Sequence, residues 1–263
     1  MIENRSGLAS FAEKLNTLPV SKTLSKTDLF TSPFRIHQEN ALEMYYSPHN
    51  EYINQDASVV ISGITPGFSQ MKTAYETAAE SLRKGRSLEQ IALDTKKAAG
   101  LSGTMRDNLI AMLDQCGLPQ VLGIQSTAQL FGDLRHMLHT TSVIKYPVFI
   151  QQKNYTGHRP AIPRSSMLST YAYKHFPAEL EKLSGPALLI PLGKAAETVC
   201  ETLIRENGKW RLTCLHGFPH PSGANGHRMK QFKKNKGELE KQIRSFAFHQ
   251  IRFCYRKEEI KGI

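Results

Sequence analysis

The sequence predicts an α/β fold, a three-layer αβα sandwich built around a central four-stranded parallel sheet. Short apolar runs that end at glycine or proline alternate along the 263 residues with segments of helical periodicity. Strands that alternate with helices usually lie parallel and are covered by helices on both faces. The hydrophobic content of 40% excludes a disordered or fibrous protein, and the chain is long enough to bury a large core.

Four short runs account for the expected sheet. The predicted strands cover residues 57–62, 142–146, 187–191 and 211–216. Apolar spacing predicts helices over residues 7–18, 70–83, 88–99, 104–116, 167–183, 194–206 and 226–248. We therefore expect an N-terminal helical extension, residues 1–56, that packs on an α/β domain formed by residues 57–263. Parallel sheets bind ligands beyond the carboxyl ends of their strands, so the loops after these strands are the candidate sites.

Composition predicts a cytoplasmic protein without a membrane partner. No apolar run reaches the ~18 residues that span a bilayer, and residues 1–10 lack the apolar segment of a signal peptide. The cysteines are widely scattered and form no CxxC or Cys/His pattern typical of a zinc or iron–sulfur site. We expect no metal, no cofactor, and reduced core thiols at Cys116, Cys200, Cys214 and Cys254.

The positive charge is concentrated at one end of the chain. Of the net charge of +11, residues 205–263 contribute +9, from 14 Lys+Arg against 5 Asp+Glu. A basic segment attached to a nearly neutral body favours a polyanionic partner such as DNA, because each bound phosphate releases counterions. A solvated basic helix with no partner is the alternative.

Two motifs lie at the ends of the first and last predicted strands. Residues 63–68 (GITPGF) combine two glycines and a proline, which allows a tight turn with the backbone close to a ligand. Residues 216–225 (HGFPHPSGAN) place small and polar residues ahead of a helix, where backbone N–H groups and a hydroxyl can bind phosphate. Ser222 or Asn225 could instead serve only as a helix N-cap.

These motifs resemble the signature pair of the uracil-DNA glycosylase superfamily. GITPG is similar to the GINPG of its mismatch-specific branch and the GMNPG of its single-strand-selective branch, and HPSGAN is similar to the HPS motif after the fourth strand. Residues 142–147 (SVIKYP) with 158–160 (HRP), 189–196 (LIPLGKAA) and 100–103 (GLSG) agree with further family segments. The resemblance covers roughly residues 57–249 and implies a uracil-DNA glycosylase-like fold.

The resemblance implies a monofunctional DNA glycosylase, which hydrolyses the N-glycosidic bond of a base flipped out of single- or double-stranded DNA and leaves an abasic site. It assigns to His220 the hydrogen bond to the departing base and to Ser222 the grip on a DNA phosphate. The loop that follows, from Gly223 to Arg228 or Met229, enters the duplex. The expected DNA contacts are Pro66, Ser222, Gly223, Asn225, His227, Arg228 and Lys230.

The first departure from the family pattern concerns the water that attacks the sugar. Thr65 stands where the best-known branches carry an Asp or Asn. A hydroxyl cannot act as a carboxylate base at neutral pH, but it can orient a water molecule. Asp107, just past the GLSG turn, is the nearest carboxylate in sequence and is equally explained as a residue of the first helical turn.

Two further departures concern the base. The expected pocket consists of Gly63, Ile64, Gly67, Phe68 and Ser142. Ser142 aligns with the Asn that reads the uracil edge, and Gly67 stands where strict uracil enzymes carry a Tyr that excludes a C5 substituent. Phe68 either stacks on the flipped base or belongs to the core. The lost contacts and added space favour a C5-modified pyrimidine, such as hydroxymethylated or glucosylated phage cytosine, and a role in defence.

Alternative functions remain open from the sequence. The protein could be a uracil or mismatch repair enzyme, or a glycosylase-like protein that binds DNA without catalysis because Thr65 replaced the Asp or Asn. An α/β enzyme acting on free nucleotides would share the phosphate-binding loop but would not explain the basic C-terminal quarter. A monomer is the default expectation.

Overall fold

The computed structural model describes residues 7–19, 23–208 and 210–261, with side chains of the last helix described up to Ala247. The helices are α1 (Leu8–Asn16), α2 (Lys26–Leu29), α3 (Phe68–Arg83), α4 (Leu88–Ala98), α5 (Gly103–Gln115), α6 (Leu118–Leu122), α7 (Ser166–Thr170), α8 (Phe176–Leu180), α9 (Lys194–Glu206) and α10 (Arg228–Lys261). The strands are β1 (Arg35–Glu39), β2 (Leu42–Tyr45), β3 (Val59–Gly63), β4 (Leu138–Ser142), β5 (Val148–Ile150), β6 (Lys153–Asn154), β7 (Ala187–Pro191) and β8 (Leu212–Cys214).

The chain divides into two compact units, each assembled from separate segments. Unit 1 comprises the described residues of Met1–Ile53, Ile64–Gly100 and Ser142–Phe176. Unit 2 comprises those of Asn54–Gly63, Leu101–Thr141 and Pro177–Ile263. The first motif begins at the end of β3 and continues into unit 1, whereas the second motif lies wholly in unit 2.

A four-stranded parallel sheet flanked by helices forms the centre of unit 2. Its strand order is β4-β3-β7-β8, and Val59 pairs with Leu188 while Leu188 pairs with Thr213. All five residues of β7 are buried, as expected for a central strand covered on both faces. The core around the sheet includes residues from α5, α6 and α10, namely Leu109, Met112, Leu113, Leu118, Phe232, Leu239, Ile243 and Phe246.

Unit 1 contains a second sheet, in the order β1-β2-β5-β6, whose paired strands run antiparallel. Aromatic rings dominate the interior of the unit: Phe11 stacks on Tyr46 with ring centroids 3.9 Å apart, and Phe30 meets Phe149 edge-on at 4.7 Å. Such pairs add specific geometry to the burial of large apolar surfaces.

The structure corrects the bounds of one predicted strand and contains strands that the sequence did not predict. The strand expected at 142–146 is instead Leu138–Ser142. Its sequence, LHTTS, is largely polar although four of its five residues are buried. The residues that follow are more apolar, and this pattern placed the predicted strand too far downstream. The segment 1–56, expected to be helical, also contains the hairpin of β1 and β2, and β5 and β6 were not predicted.

Two of the predicted helices differ markedly from the observed ones. The helix expected at 167–183 is interrupted by a π-helical turn over Tyr171–His175. The basic helix expected at 226–248 begins at Arg228 and extends to Lys261. Among the described residues, no helix, including this one of 34 residues, is both long and apolar enough to cross a membrane.

Unit 1 also buries a group of hydrogen-bonded polar side chains around His49. The imidazole Nδ1 lies 2.9 Å from the Ser47 hydroxyl, and Lys96 Nζ donates to Asn50 Oδ1 at 3.0 Å. Burial lowers the pKa of His49 to about 3, and the charges of Lys96 and Lys145 act in the same direction. The imidazole is therefore neutral in the folded protein at physiological pH.

We predict that His49 makes the fold sensitive to acid. Folding depresses the pKa of His49. Between pH 6.5 and about pH 3, the imidazole is therefore protonated in the unfolded chain and neutral in the folded chain. Stability is therefore lost as the pH falls through this window, by ~1.4 kcal/mol per pH unit. The His49→Gln variant should show a correspondingly shallower dependence in urea unfolding at pH 7, 6 and 5, followed by circular dichroism. The exposed His136→Gln variant is the control, and an unchanged slope in His49→Gln would contradict the prediction.

Candidate functional site

The second motif forms a loop of unit 2 in which His220 rests against the chain that leaves β7. Gly193 follows that strand and has a φ of +87°. A Cβ at Gly193 would lie 3.2 Å from the Cβ and 3.3 Å from the Cδ2 of His220. Glycine is thus needed at this position both for its backbone conformation and for the close approach of the imidazole.

The protonation state of His220 follows from its surroundings. Its Nδ1 accepts a hydrogen bond from the Ser222 N–H at 3.2 Å. Burial lowers the pKa of His220 below its usual value, so the imidazole is neutral near pH 7. With Nδ1 acting as an acceptor, the proton of the neutral ring resides on Nε2, which makes Nε2–H a hydrogen-bond donor.

Side chains from two helices hold the loop in place. Asn108 on α5 donates to the carbonyl of Pro221 at 2.9 Å, and Arg228 at the start of α10 donates to the carbonyl of Ser222 at 2.8 Å. Asn225 donates to the carbonyl of His220 at 3.2 Å. Asn225 and Arg228, both expected to contact DNA, therefore hold the loop through these side-chain hydrogen bonds.

Other residues of the motif and of the chain just after it are accessible to a partner. Ser222 is half-buried, and its Oγ accepts the Ala224 N–H at 3.2 Å, which leaves its hydroxyl proton for a further acceptor. Gly223, His227 and Lys230 are exposed. The Arg228 Nε is buried and has no hydrogen-bond partner among the described residues. The loop thus offers a hydroxyl and a positively charged rim.

The first two turns of α10 have an apolar face and a basic face. Phe232 is buried in the core of unit 2, whereas Lys230, Lys233 and Lys234 are exposed at i, i+3 and i+4 spacing. No carboxylate lies within salt-bridge distance of these three lysines in the part of the chain that the structure describes, whereas Lys236 pairs with Glu240. We call Lys230, Lys233 and Lys234 the basic face.

In unit 1, the Thr65 hydroxyl of the first motif is engaged in two hydrogen bonds. It donates to the carbonyl of Tyr146 at 2.8 Å and accepts the N–H of Val148 at 3.1 Å. One lone pair of the oxygen remains. Thr65 therefore ties its loop to the chain between β4 and β5, and it can accept one hydrogen bond from a water molecule.

The side chain of Asn154, on β6, occupies the space beside Gly67. A Cβ at Gly67 would lie 3.2 Å from the Asn154 Nδ2. The Oδ1 accepts the N–H of Phe68 at 3.0 Å, at the start of α3. This bond fixes the orientation of the exposed amide, so that Nδ2 presents two N–H donors. The space beside Gly67 is therefore limited by the amide of Asn154, and not by a tyrosine ring as in the strict uracil enzymes.

Phe68 itself has aromatic and cationic neighbours. Its ring centroid lies 5.6 Å from that of Phe30, and the Lys26 ammonium lies 5.8 Å from it. These contacts attach the half-buried Phe68 to the aromatic group of unit 1 and occupy part of its ring surface.

The remaining predicted residues differ in accessibility. Gly63 and Ile64 are half-buried, whereas Pro66 and Ser142 are buried, so Pro66 has a packing role in this structure. Asp107 is exposed on α5, beyond the first turn, which contains no acidic residue. Its neighbour Asn108, rather than Asp107, is the residue of α5 that holds the His220 loop.

Asn108, Asn154 and Gly193 contact the motifs and were not predicted as site residues. Gly193 carried a signal, because a glycine directly after a buried strand and before a helix marks a close approach. Asn108 and Asn154 carried none, since each meets a loop that is distant in sequence.

Comparison with known proteins establishes a relationship without adding a function. No protein-family model matches the chain. The chain is 74% identical over 247 residues to the uncharacterized protein YoxB of Bacillus subtilis (strain 168), and the alignment covers 94% of this chain and 96% of that protein. Identity of this extent over nearly the whole of both chains shows common descent, and the protein therefore belongs to the YoxB family.

Proposed function

We propose that the protein is a DNA glycosylase that removes a C5-modified pyrimidine, such as hydroxymethylated or glucosylated cytosine, and leaves an abasic site. One observation carries the proposal: His220, in a motif similar to that of uracil-DNA glycosylases, is held as a neutral imidazole with Nε2–H as a donor. The four-stranded parallel sheet of unit 2 is compatible with this superfamily.

The role of His220 follows from where charge develops. As the glycosidic bond breaks, negative charge grows on the departing base and positive charge on the sugar. A donor that faces the base stabilises this state more than the ground state, so it lowers the barrier. A hydrogen bond to a charged group contributes roughly 1.5–3 kcal/mol, which corresponds to about 10- to 160-fold in rate.

Thr65 would position the attacking water. Its proton is committed to the Tyr146 carbonyl, so the oxygen would accept a hydrogen bond from the water and leave proton removal to another acceptor. A glycosylase whose sugar carries much of the positive charge in the transition state needs little general-base assistance. Asp107, exposed on α5, stays the alternative base.

Asn154 refines the proposed substrate. If the base lies beside Gly67, as the resemblance implies, a C5 substituent approaches the amide of Asn154 rather than open space. The Nδ2 donor matches an oxygen-bearing substituent, such as a hydroxymethyl or glucosyl group, and gives thymine's methyl no partner. A modified phage base in turn favours a defence role.

The DNA backbone would be held by the second motif and the basic face. The free Ser222 hydroxyl proton and the exposed N-terminal turns of α10 offer donors and positive charge to phosphates. The exposed lysines of the basic face would extend this contact along the strand without reading sequence.

We predict that base release depends on His220. The protein should release one base from a panel of DNAs carrying uracil, thymine mismatches, hydroxymethylcytosine or glucosylated cytosine, measured by mass spectrometry. His220→Ala should lower the rate at least ~10-fold, because the donor is lost, while the exposed His136→Ala should leave it unchanged.

Release of uracil alone would indicate a uracil repair enzyme rather than an enzyme that removes a modified base. DNA binding without release of any base would indicate the silent binding protein, for which the replacement of an Asp or Asn by Thr65 provides a specific reason. Absence of both DNA binding and base release would overturn the proposal.

A second prediction concerns Asn154. Asn154→Asp keeps an oxygen that accepts the Phe68 N–H and removes the Nδ2 donor. It should lower the ratio of modified-cytosine release to uracil release by about 5- to 10-fold, which corresponds to the free energy of a typical hydrogen bond. Asn154→Ala, which also removes the contact with α3, should lower it by a similar factor. An unchanged ratio in both variants would remove Asn154 from substrate selection.

A third prediction concerns the basic face. Replacing Lys230, Lys233 and Lys234 by glutamine should weaken DNA binding at all sequences. It should also reduce the slope of log K against log salt by up to ~2.7, about 0.9 for each lost phosphate contact. Lys236→Gln/Lys241→Gln is the matched control, since both lysines are already paired with carboxylates. An equal change of slope in the control would show a general charge effect instead.

A further inference from the structure

A second group of chemically active side chains lies in unit 2, apart from the residues assigned above. Glu197 and Glu201, one turn apart on α9, meet His216 in the loop after β8, and their ligand atoms lie within 4.8 Å of one another. The His216 Nδ1 is 3.3 Å from Glu201 Oε1 and 3.9 Å from Glu197 Oε1. We refer to these three residues as the Glu₂His cluster.

The backbone around the cluster is anchored. Gln242 on α10 accepts the N–H of His216 at 2.7 Å and donates to its carbonyl at 3.3 Å. Asn235 donates to the carbonyl of Gly217 at 2.8 Å, and the N–H of Gly217 donates to Glu197. The backbone that carries the imidazole is therefore held by contacts that involve none of its ring atoms.

A lysine on the same helix is the present counterion of the cluster. Lys194 Nζ lies 3.2 Å from Glu197 Oε2 and 3.6 Å from Glu201 Oε1, and the lysine side chain is 70% exposed. The Glu197 side chain, by contrast, is only 10% exposed, and its carboxylate accepts the N–H of Gly217. One ammonium beside two carboxylates leaves the pair of glutamates with an excess of negative charge.

We propose that Glu197, Glu201 and His216 bind one Zn²⁺ ion, which displaces the Lys194 ammonium. Imidazole nitrogen and carboxylate oxygens are zinc ligands at about 2.0–2.2 Å, and a tetrahedral ion places its ligand atoms about 3.4 Å apart. The 3.3 Å and 3.9 Å separations are close to that value. The imidazole favours zinc over Mg²⁺, which prefers oxygen ligands and retains water.

Three protein ligands leave one coordination position for water or an external ligand. His216 lines a cleft of about 480 Å³ together with Gly217, Asn235, Glu238 and Gln242. The cluster contains no cysteine, so no Cys/His spacing in the sequence indicates it. The proposal stands independently of glycosylase activity, since none of its ligands has a role in that reaction.

The test is calorimetric titration of the full chain, first stripped with a chelator, with Zn²⁺ alone and with Mg²⁺ alone. We expect one Zn²⁺ site and much weaker Mg²⁺ binding. His216→Ala and Glu201→Gln should each weaken Zn²⁺ binding at least ~10-fold through loss of a ligand. Lys194→Met should tighten it about 2- to 5-fold, because a competing surface ion pair is removed.

Glu238→Gln is the matched control, because this carboxylate lines the same cleft outside the cluster and its loss should leave binding unchanged. The absorption spectrum of the Co²⁺ form should lack thiolate charge transfer, which separates the cluster from the cysteines. Absence of Zn²⁺ binding, unchanged binding in both ligand variants, equal affinity for Mg²⁺, or a thiolate band would overturn the proposal.

Discussion

The burial of strand β7 on both faces is the constraint on which unit 2 depends. Ala187–Pro191 pair with β3 on one side and β8 on the other, and each of the five residues is buried. A strand in this position tolerates neither a shift of register nor a polar substitution, because either would leave backbone groups or side chains unsatisfied in the core. The position and direction of the chain that leaves β7 are therefore fixed by the core of unit 2.

The chain after β7 contributes to two sets of chemically active residues. Gly193 supplies the surface against which His220 packs, and α9 begins at the next residue and carries Glu197 and Glu201. The loop after β8 then contributes His216 to one set and His220 to the other. The end of β7 and the loop after β8 together position the imidazole of His220 and the Glu₂His cluster.

The long helix α10 serves as a support for the same loop. Its apolar residues, such as Phe232, complete the core, while Asn235 and Gln242 hold the backbone of Gly217 and His216. Arg228 at its start holds the carbonyl of Ser222. The described basic residues of this helix differ in their contacts. Arg228 turns back to the loop, Lys236 and Lys241 pair with carboxylates, and the basic face is exposed.

What the sequence determined by itself was local. The central strand was predicted at 187–191 and observed there because an apolar run bounded by proline and glycine has few other solutions. The helices α3, α4, α5 and α9 were predicted nearly to their ends by the spacing of apolar residues. The motif of residues 216–225 marked the loop that the structure builds around His220.

Tertiary structure alone decided the rest, because the deciding contacts join residues far apart in sequence. The polar edge strand β4 and the antiparallel sheet of unit 1 depend on pairing partners rather than on local apolar patterns. Asn154 limits the space at Gly67 from 87 positions away in sequence, and His216 joins Glu197 across an intervening strand. Residue types at these positions carry no signal until the fold brings them within a few ångströms.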